Sequence, residues 1–295
     1  MAEAYLFPGQ GSQFVGMGKD HYESNSDFAT LVDQANDILG FDLKEIMFEG
    51  PEEKLKQTEY TQPAIFLHSV ALFKTLDATP DMVAGHSLGE FSALVACGAV
   101  SFEDALRIVR KRGELMQQAG SENPGTMAAI IGMEDEAVEK VCEQATEKTG
   151  KEVIAANYNC PGQLVISGDV TAVPKAVELA KENGARLAKV LPVSGAFHSS
   201  LMQPAYDGLK EELENLAVHE PICPIYSNYT AEPTTNPDEI RSNLLNQLLN
   251  PVRWTQTLRN MADNGADSFV EVGPGKVLQG LVKRTLKGVN KSGVQ

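Results

Sequence analysis

The sequence predicts an α/β fold in which a larger, discontinuous α/β domain carries an inserted ferredoxin-like subdomain. Three observations carry that prediction. Strand-like apolar runs alternate with helix-length segments on both sides of the middle of the chain: "AYLFP" and "DMVAG" early, "PIYSN" and "SFVEVG" late. Between residues 124 and 192 the pattern reads strand, helix, strand, strand, helix, strand. The 295 residues, 42% hydrophobic and 22% charged, are enough for one large and one small packed unit. The expected boundaries are 1–123 with 193–295 for the larger domain and 124–192 for the insertion.

In chain order, "AYLFP" breaks into "GQGSQ", where two glycines around a glutamine suit a tight turn with exposed backbone amides. A helix is expected over 62–76, capped by Thr61, with Pro63 in its first turn. "DMVAGHSLGEFSALVACG" then reads as a short buried strand, a sharp turn at Ser87 and a helix. "SFEDALRIVRKRGELMQQA" opens with Ser101 and Asp104 in a capping-box arrangement. At 100° per residue, Phe102, Ala105, Leu106, Val109, Gly113 and Met116 share one stripe, and Arg112 falls at its edge. An arginine turned inwards needs an anionic partner, because an unpaired buried charge is costly. Within the insertion, strands are expected at "TMAAIIGM", "EVIAANYN", "GQLVISG" and "ARLAKVLPV", the middle two joined by a turn at Cys160-Pro161-Gly162. Helices are expected near 199–217, 237–249 and 254–264.

Composition narrows the function. Forty acidic against 25 basic residues give a net charge of −15, a field that repels nucleic acid and anionic membranes. An acidic protein partner would need a local basic patch; Lys189, Arg284 and Lys287 are candidates on charge alone. No apolar run approaches the ~18 residues of a membrane span, and no secretory signal is evident in "MAEAYLFPGQ". Cys97, Cys142, Cys160 and Cys223 lie far apart, which argues against a zinc site or a disulfide framework. A cytoplasmic protein, monomeric by default, is the expectation.

The chemistry centres on "GHSLG". In a strand–turn–helix context, G-x-S-x-G lifts the Ser87 hydroxyl to a helix N-terminus, where the Leu88 amide can face a developing oxyanion. Of five histidines, His86 adjoins the serine and is expected to point away from it. His68 lies in a helical pattern and should be packed, whereas His21 and His219 sit in polar surroundings. His198, in "GAFHSS" just after a strand, is the favoured general base. The nearest acid to it in sequence is Asp207, so a backbone or amide carbonyl could orient its ring in place of a carboxylate.

"FPGQGSQFVGMG", "TQPAIFLHSVAL", "AGHSLGEFSAL", "RGELMQ", "AANYNCPGQLVISG", "GAFHSSLMQPA", "NQLLNPVRW" and "EVGPGKVL" occur in order from residue 7 to 278. Together they resemble the malonyl-CoA:acyl carrier protein transacylases and, more widely, the acyltransferase domains of fatty acid and polyketide synthases. The resemblance implies an α/β-hydrolase-like larger domain. It implies transfer of malonyl from malonyl-CoA to the phosphopantetheine thiol of an acyl carrier protein, with neither metal nor redox cofactor. Ser87 matches the acylated serine, His198 its base, and Gln10 and Leu88 the pair of oxyanion-binding amides. Gln247 matches the residue whose main-chain carbonyl orients the histidine, and Arg112 the arginine that grips the malonyl carboxylate. Gln62, His86, Asn157 and Asn159 fall near the pocket, and Phe197 resembles the malonyl-selective form of its motif. A serine ester or thioester hydrolase is the alternative, though it leaves Arg112 without a purpose. A non-catalytic carrier-docking module is a third reading.

Overall fold

A computed structural model describes residues 2–295. The chain runs β1 Ala2–Phe7, α1 Lys19–Ser24, α2 Ser26–Leu39, α3 Leu43–Phe48, α4 Glu52–Leu55, α5 Thr58–Lys74, β2 Met82–Gly85, α6 Gly89–Ala96 and α7 Phe102–Glu122. It continues with β3 Gly125–Ile131, α8 Asp135–Thr149, β4 Val153–Cys160, β5 Gln163–Asp169, α9 Ala172–Glu182 and β6 Leu187–Val190. A 3₁₀ turn, Ser200–Met202, leads into α10 Gln203–Glu214, β7 Ile225–Tyr226, β8 Pro233–Thr234, α11 Pro237–Asn246, α12 Trp254–Asp263, β9 Ala266–Val272, α13 Val277–Thr285 and β10 Asn290–Val294.

Two sheets result. The larger has the order β10-β9-β1-β2-β7-β8 and is parallel except where β8 returns against β7. Buried on both faces, β1 and β2 are short and mainly apolar, as parallel strands covered by helices must be. The smaller sheet is antiparallel with the order β4-β5-β3-β6. With α8 and α9 over it, that order is the ferredoxin-like arrangement the strand–helix pattern predicted. Its apolar core, from Ala128 to Ala188, forms a cluster of its own. Strand β4 also reaches the larger unit: the Val252 N–H donates to Ala156 O at 2.8 Å and the Tyr158 N–H to Val252 O at 2.9 Å.

The structure corrects several expectations. Helix α5 begins at Thr58 rather than 62 and carries Pro63 in its interior. Proline has no N–H for the carbonyl four residues back, Glu59. Arg110 donates to that carbonyl through Nη1 at 2.6 Å, so the helix continues through the proline. The helix expected near 199–217 is a 3₁₀ turn followed by the shorter α10. Strand β10 was not foreseen: the polar "NKSGV" pairs along the edge of β9. Among the described residues no helix is long and apolar enough to cross a membrane.

Candidate active site

The sharp turn at Ser87 follows from two glycines. A Cβ on Gly85 would lie 1.8 Å from the Gly89 carbonyl carbon, and a Cβ on Gly89 would lie 2.1 Å from Phe7 O. With hydrogen at both positions, α6 can start directly against the ends of β1 and β2, and the chain turns at Ser87 with φ 51°. That left-handed value is strained for a side-chain-bearing residue. Asn228, just past β7, holds it: its Oδ1 accepts from Ser87 N and its Nδ2 donates to Gly85 O, both at 2.6 Å.

Ser87 Oγ donates to His198 Nε2 at 2.8 Å, and His198 Nδ1 donates to the main-chain oxygen of Gln247 at 2.8 Å. That carbonyl therefore fixes the tautomer, leaving Nε2 free to accept the serine proton. His198 is 3% exposed and, like Ser87, has positive φ (60°). Burial, then the Arg112 charge, pull its pKa down to about 3, so the imidazole rests neutral.

Arg112 comes from α7 and is only 1% exposed. Gly113 beside it lets α7 press onto the start of α5, where a Cβ would meet Thr58 O at 2.8 Å. The guanidinium donates through Nη1 to Gln62 Oε1 (2.7 Å) and through Nη2 to Gln247 Oε1 (2.9 Å) and Ser87 Oγ (3.1 Å). Its Nε has no acceptor among the described residues. Desolvation lowers the Arg112 pKa to about 10, with Glu90 opposing the shift.

A cavity of about 230 Å³ opens over Ser87 and lies between the two sheets. Gln10, Leu88 and Phe197 line it from the larger unit, Asn157 and Asn159 from β4. Among the described residues the backbone N–H groups of Gln10 and Leu88 donate to no protein acceptor. His86, expected near the pocket but turned from the serine, lines the cavity and donates through Nε2 to Asn159 Oδ1 at 2.8 Å. His68 is packed inside the large core, while His219 lies exposed and His21 half-buried. Lys189, Arg284 and Lys287 are exposed, and Arg284 reaches Gln163 on the cavity rim. No group of three or more His, Cys, Asp or Glu side chains converges among the described residues.

Two participants escaped the sequence reading. Asn228 gave no signal beyond its place after a strand. Glu90 gave one: it is the only ionisable residue in a helix apolar on every side, where all eight residues are buried. Glu90 accepts a short hydrogen bond from Gln247 Nε2.

The acyl transferase domain pattern matches residues 4–294. The chain belongs to the acyl transferase family. Among the relatives of this acyl transferase, the malonyl CoA-acyl carrier protein transacylase of Bacillus subtilis is 49% identical over 284 residues, 95% of this chain and 89% of its own length. The Escherichia coli K12 protein of the same name is 45% identical over 293 residues, 98% and 94% of the two chains. Among solved structures, the acyl carrier protein S-malonyltransferase of Vibrio cholerae superposes with a TM-score of 0.95 at 43% identity, covering 100% of this acyl transferase and 97% of that chain. A malonyl-transacylase solved in complex with its type II polyketide acyl carrier protein also superposes at 0.95, with 39% identity and 100% and 96% coverage.

Proposed function

We propose that the protein moves a malonyl group from malonyl-CoA to the phosphopantetheine thiol of an acyl carrier protein, in fatty acid synthesis, through a malonyl ester on Ser87. The observation that carries this reading is the placing of Arg112 Nη2 3.1 Å from the same Ser87 Oγ that donates to His198. A buried guanidinium fork beside a nucleophile suits an acyl donor whose far end is a carboxylate.

In the first half-reaction His198 Nε2 takes the Ser87 proton as Oγ bonds to the thioester carbon. The oxyanion rests on the N–H groups of Gln10 and Leu88, each such donor being worth ~10²–10³ in rate. The C–S bond then breaks, and His198 returns the proton to the departing coenzyme A thiolate. In the second, His198 takes the proton of the carrier thiol, sulfur attacks the ester, the C–O bond breaks and Ser87 is reprotonated. Substrate binding itself favours the first proton transfer. Burial first and the Arg112 charge second make His198 a weak base, and a malonyl carboxylate on Arg112 cancels part of the second contribution. The carrier protein would meet the rim near Lys189, Arg284 and Lys287, and four buried thiols suit a reducing cytoplasm. The insertion would span 124–192, supplying the Asn157 and Asn159 wall.

Incubation of the pure protein with labelled malonyl-CoA tests the proposal. A labelled ester should accumulate and persist until holo carrier protein is added, and Ser87→Ala should form none. Rapid release of free malonate would instead indicate a hydrolase.

A further inference from the structure

Glu90 is a buried acid for which the two half-reactions have no task. It is 2% exposed, three residues beyond the nucleophile, in the first turn of α6. Its carboxyl accepts from Gln247 Nε2. The other end of the same Gln247 amide, Oε1, accepts from Arg112 at 2.9 Å. One amide thus lies between acid and guanidinium, its donor end on Glu90 and its acceptor end on Arg112.

We propose that Glu90 sets acyl specificity as a positioning residue acting through Gln247: ionised, it is the counter-ion of Arg112 and competes with the substrate carboxylate; neutral, it leaves the guanidinium to that carboxylate. The inference rests on the malonyl reading above. One cation cannot balance two anions in a dry site without a large desolvation cost, so seating a dicarboxylic acyl group selects the protonated form of Glu90. The surroundings leave Arg112 as the charge that matters. The loop after β2 brings His86 and the loop before the 3₁₀ turn brings His198, both held neutral by burial. His68 on α5 turns to His21 and Phe28, and Tyr5 on β1 turns to Glu3. Burial raises the Glu90 carboxyl to about 8, which puts the exchange within an accessible pH range.

The test is the ratio of kcat/KM for malonyl-CoA to that for acetyl-CoA, read as ester formation between about pH 6.5 and 9. Acetyl has no second carboxylate, so effects on Ser87, His198 or coenzyme A cancel in the ratio. Protonated Glu90 falls from about nine-tenths to about one-tenth of the total between pH 7 and 9, so the wild-type ratio should drop about tenfold. Glu90→Gln should hold the ratio level over the same range. A flat wild-type ratio overturns the proposal even if the variant does not fold, and so does a variant whose ratio falls in parallel with wild type. No malonyl ester at any pH would overturn the malonyl reading itself, and the proposal with it.

Discussion

Replacing Arg112 by methionine keeps much of the side-chain volume and removes the charge. In the free protein this breaks three hydrogen bonds, to Gln62, Gln247 and Ser87. The Ser87 contact serves any acyl donor, so its loss should slow acetyl and malonyl loading alike, by the ~1.5–3 kcal/mol of one hydrogen bond to a charged group. The malonyl carboxylate alone loses its buried counter-charge as well, which costs ~3–5 kcal/mol. At 1.36 kcal/mol per decade, malonyl kcat/KM should fall at least about 10²-fold further than acetyl kcat/KM, and up to several thousandfold further. Single-turnover labelling of Ser87 with each thioester reads both numbers on one preparation. Arg112→Lys should recover only part of the difference, since a point charge cannot reproduce the two-pronged grip. Equal losses for the two substrates would refute the assignment of Arg112 to the carboxylate.

Two further perturbations address the scaffold. Asn228→Ala removes both 2.6 Å contacts that hold the elbow and leaves two backbone groups unpaired. Urea unfolding should show a loss of ~2–4 kcal/mol, and a change below ~0.5 would contradict the role given to Asn228. His68 and His198 both rest near pKa 3 against 6.5 when unfolded, so below pH 6.5 the unfolded chain binds the extra protons and stability rises with pH. Glu90, raised to about 8, acts in the opposite sense between about 4.5 and 8. His68→Leu should therefore reduce the slope of stability between about pH 5.5 and 4 by roughly 1.4 kcal/mol per pH unit, and an unchanged slope would show that His68 is not buried neutral.

What could be read from the sequence was set by how local each cause is. The elbow lies within five contiguous residues, and its glycines are demanded by contacts that any strand–turn–helix of this kind makes. The inward side of α7 was legible because periodicity alone places Arg112 with Val109 and Met116, all of them buried. The ferredoxin-like strand order followed from element order in a short segment. Long-range causes were hidden. Nothing near Pro63 announces that Arg110, 47 positions on by their numbers, will satisfy the carbonyl the proline abandons. Glu90 stands out as the one ionisable residue of an apolar helix, but its partner Gln247 lies 157 positions on. Strand β10 is polar and exposed, so its pairing with β9, rather than its composition, makes it a strand.

Gln247 does two jobs with separable parts of one residue. Its main-chain oxygen steadies the imidazole, and its amide touches Arg112 and Glu90. Every amino acid brings the same carbonyl, but the amide also donates to the Ser87 main-chain oxygen at 3.0 Å, so the side chain ties the serine turn to Arg112 and Glu90. A substitution at position 247 thus keeps the bond to His198 but loosens three neighbours at once, and new acyl preferences gained there come at a cost in turnover.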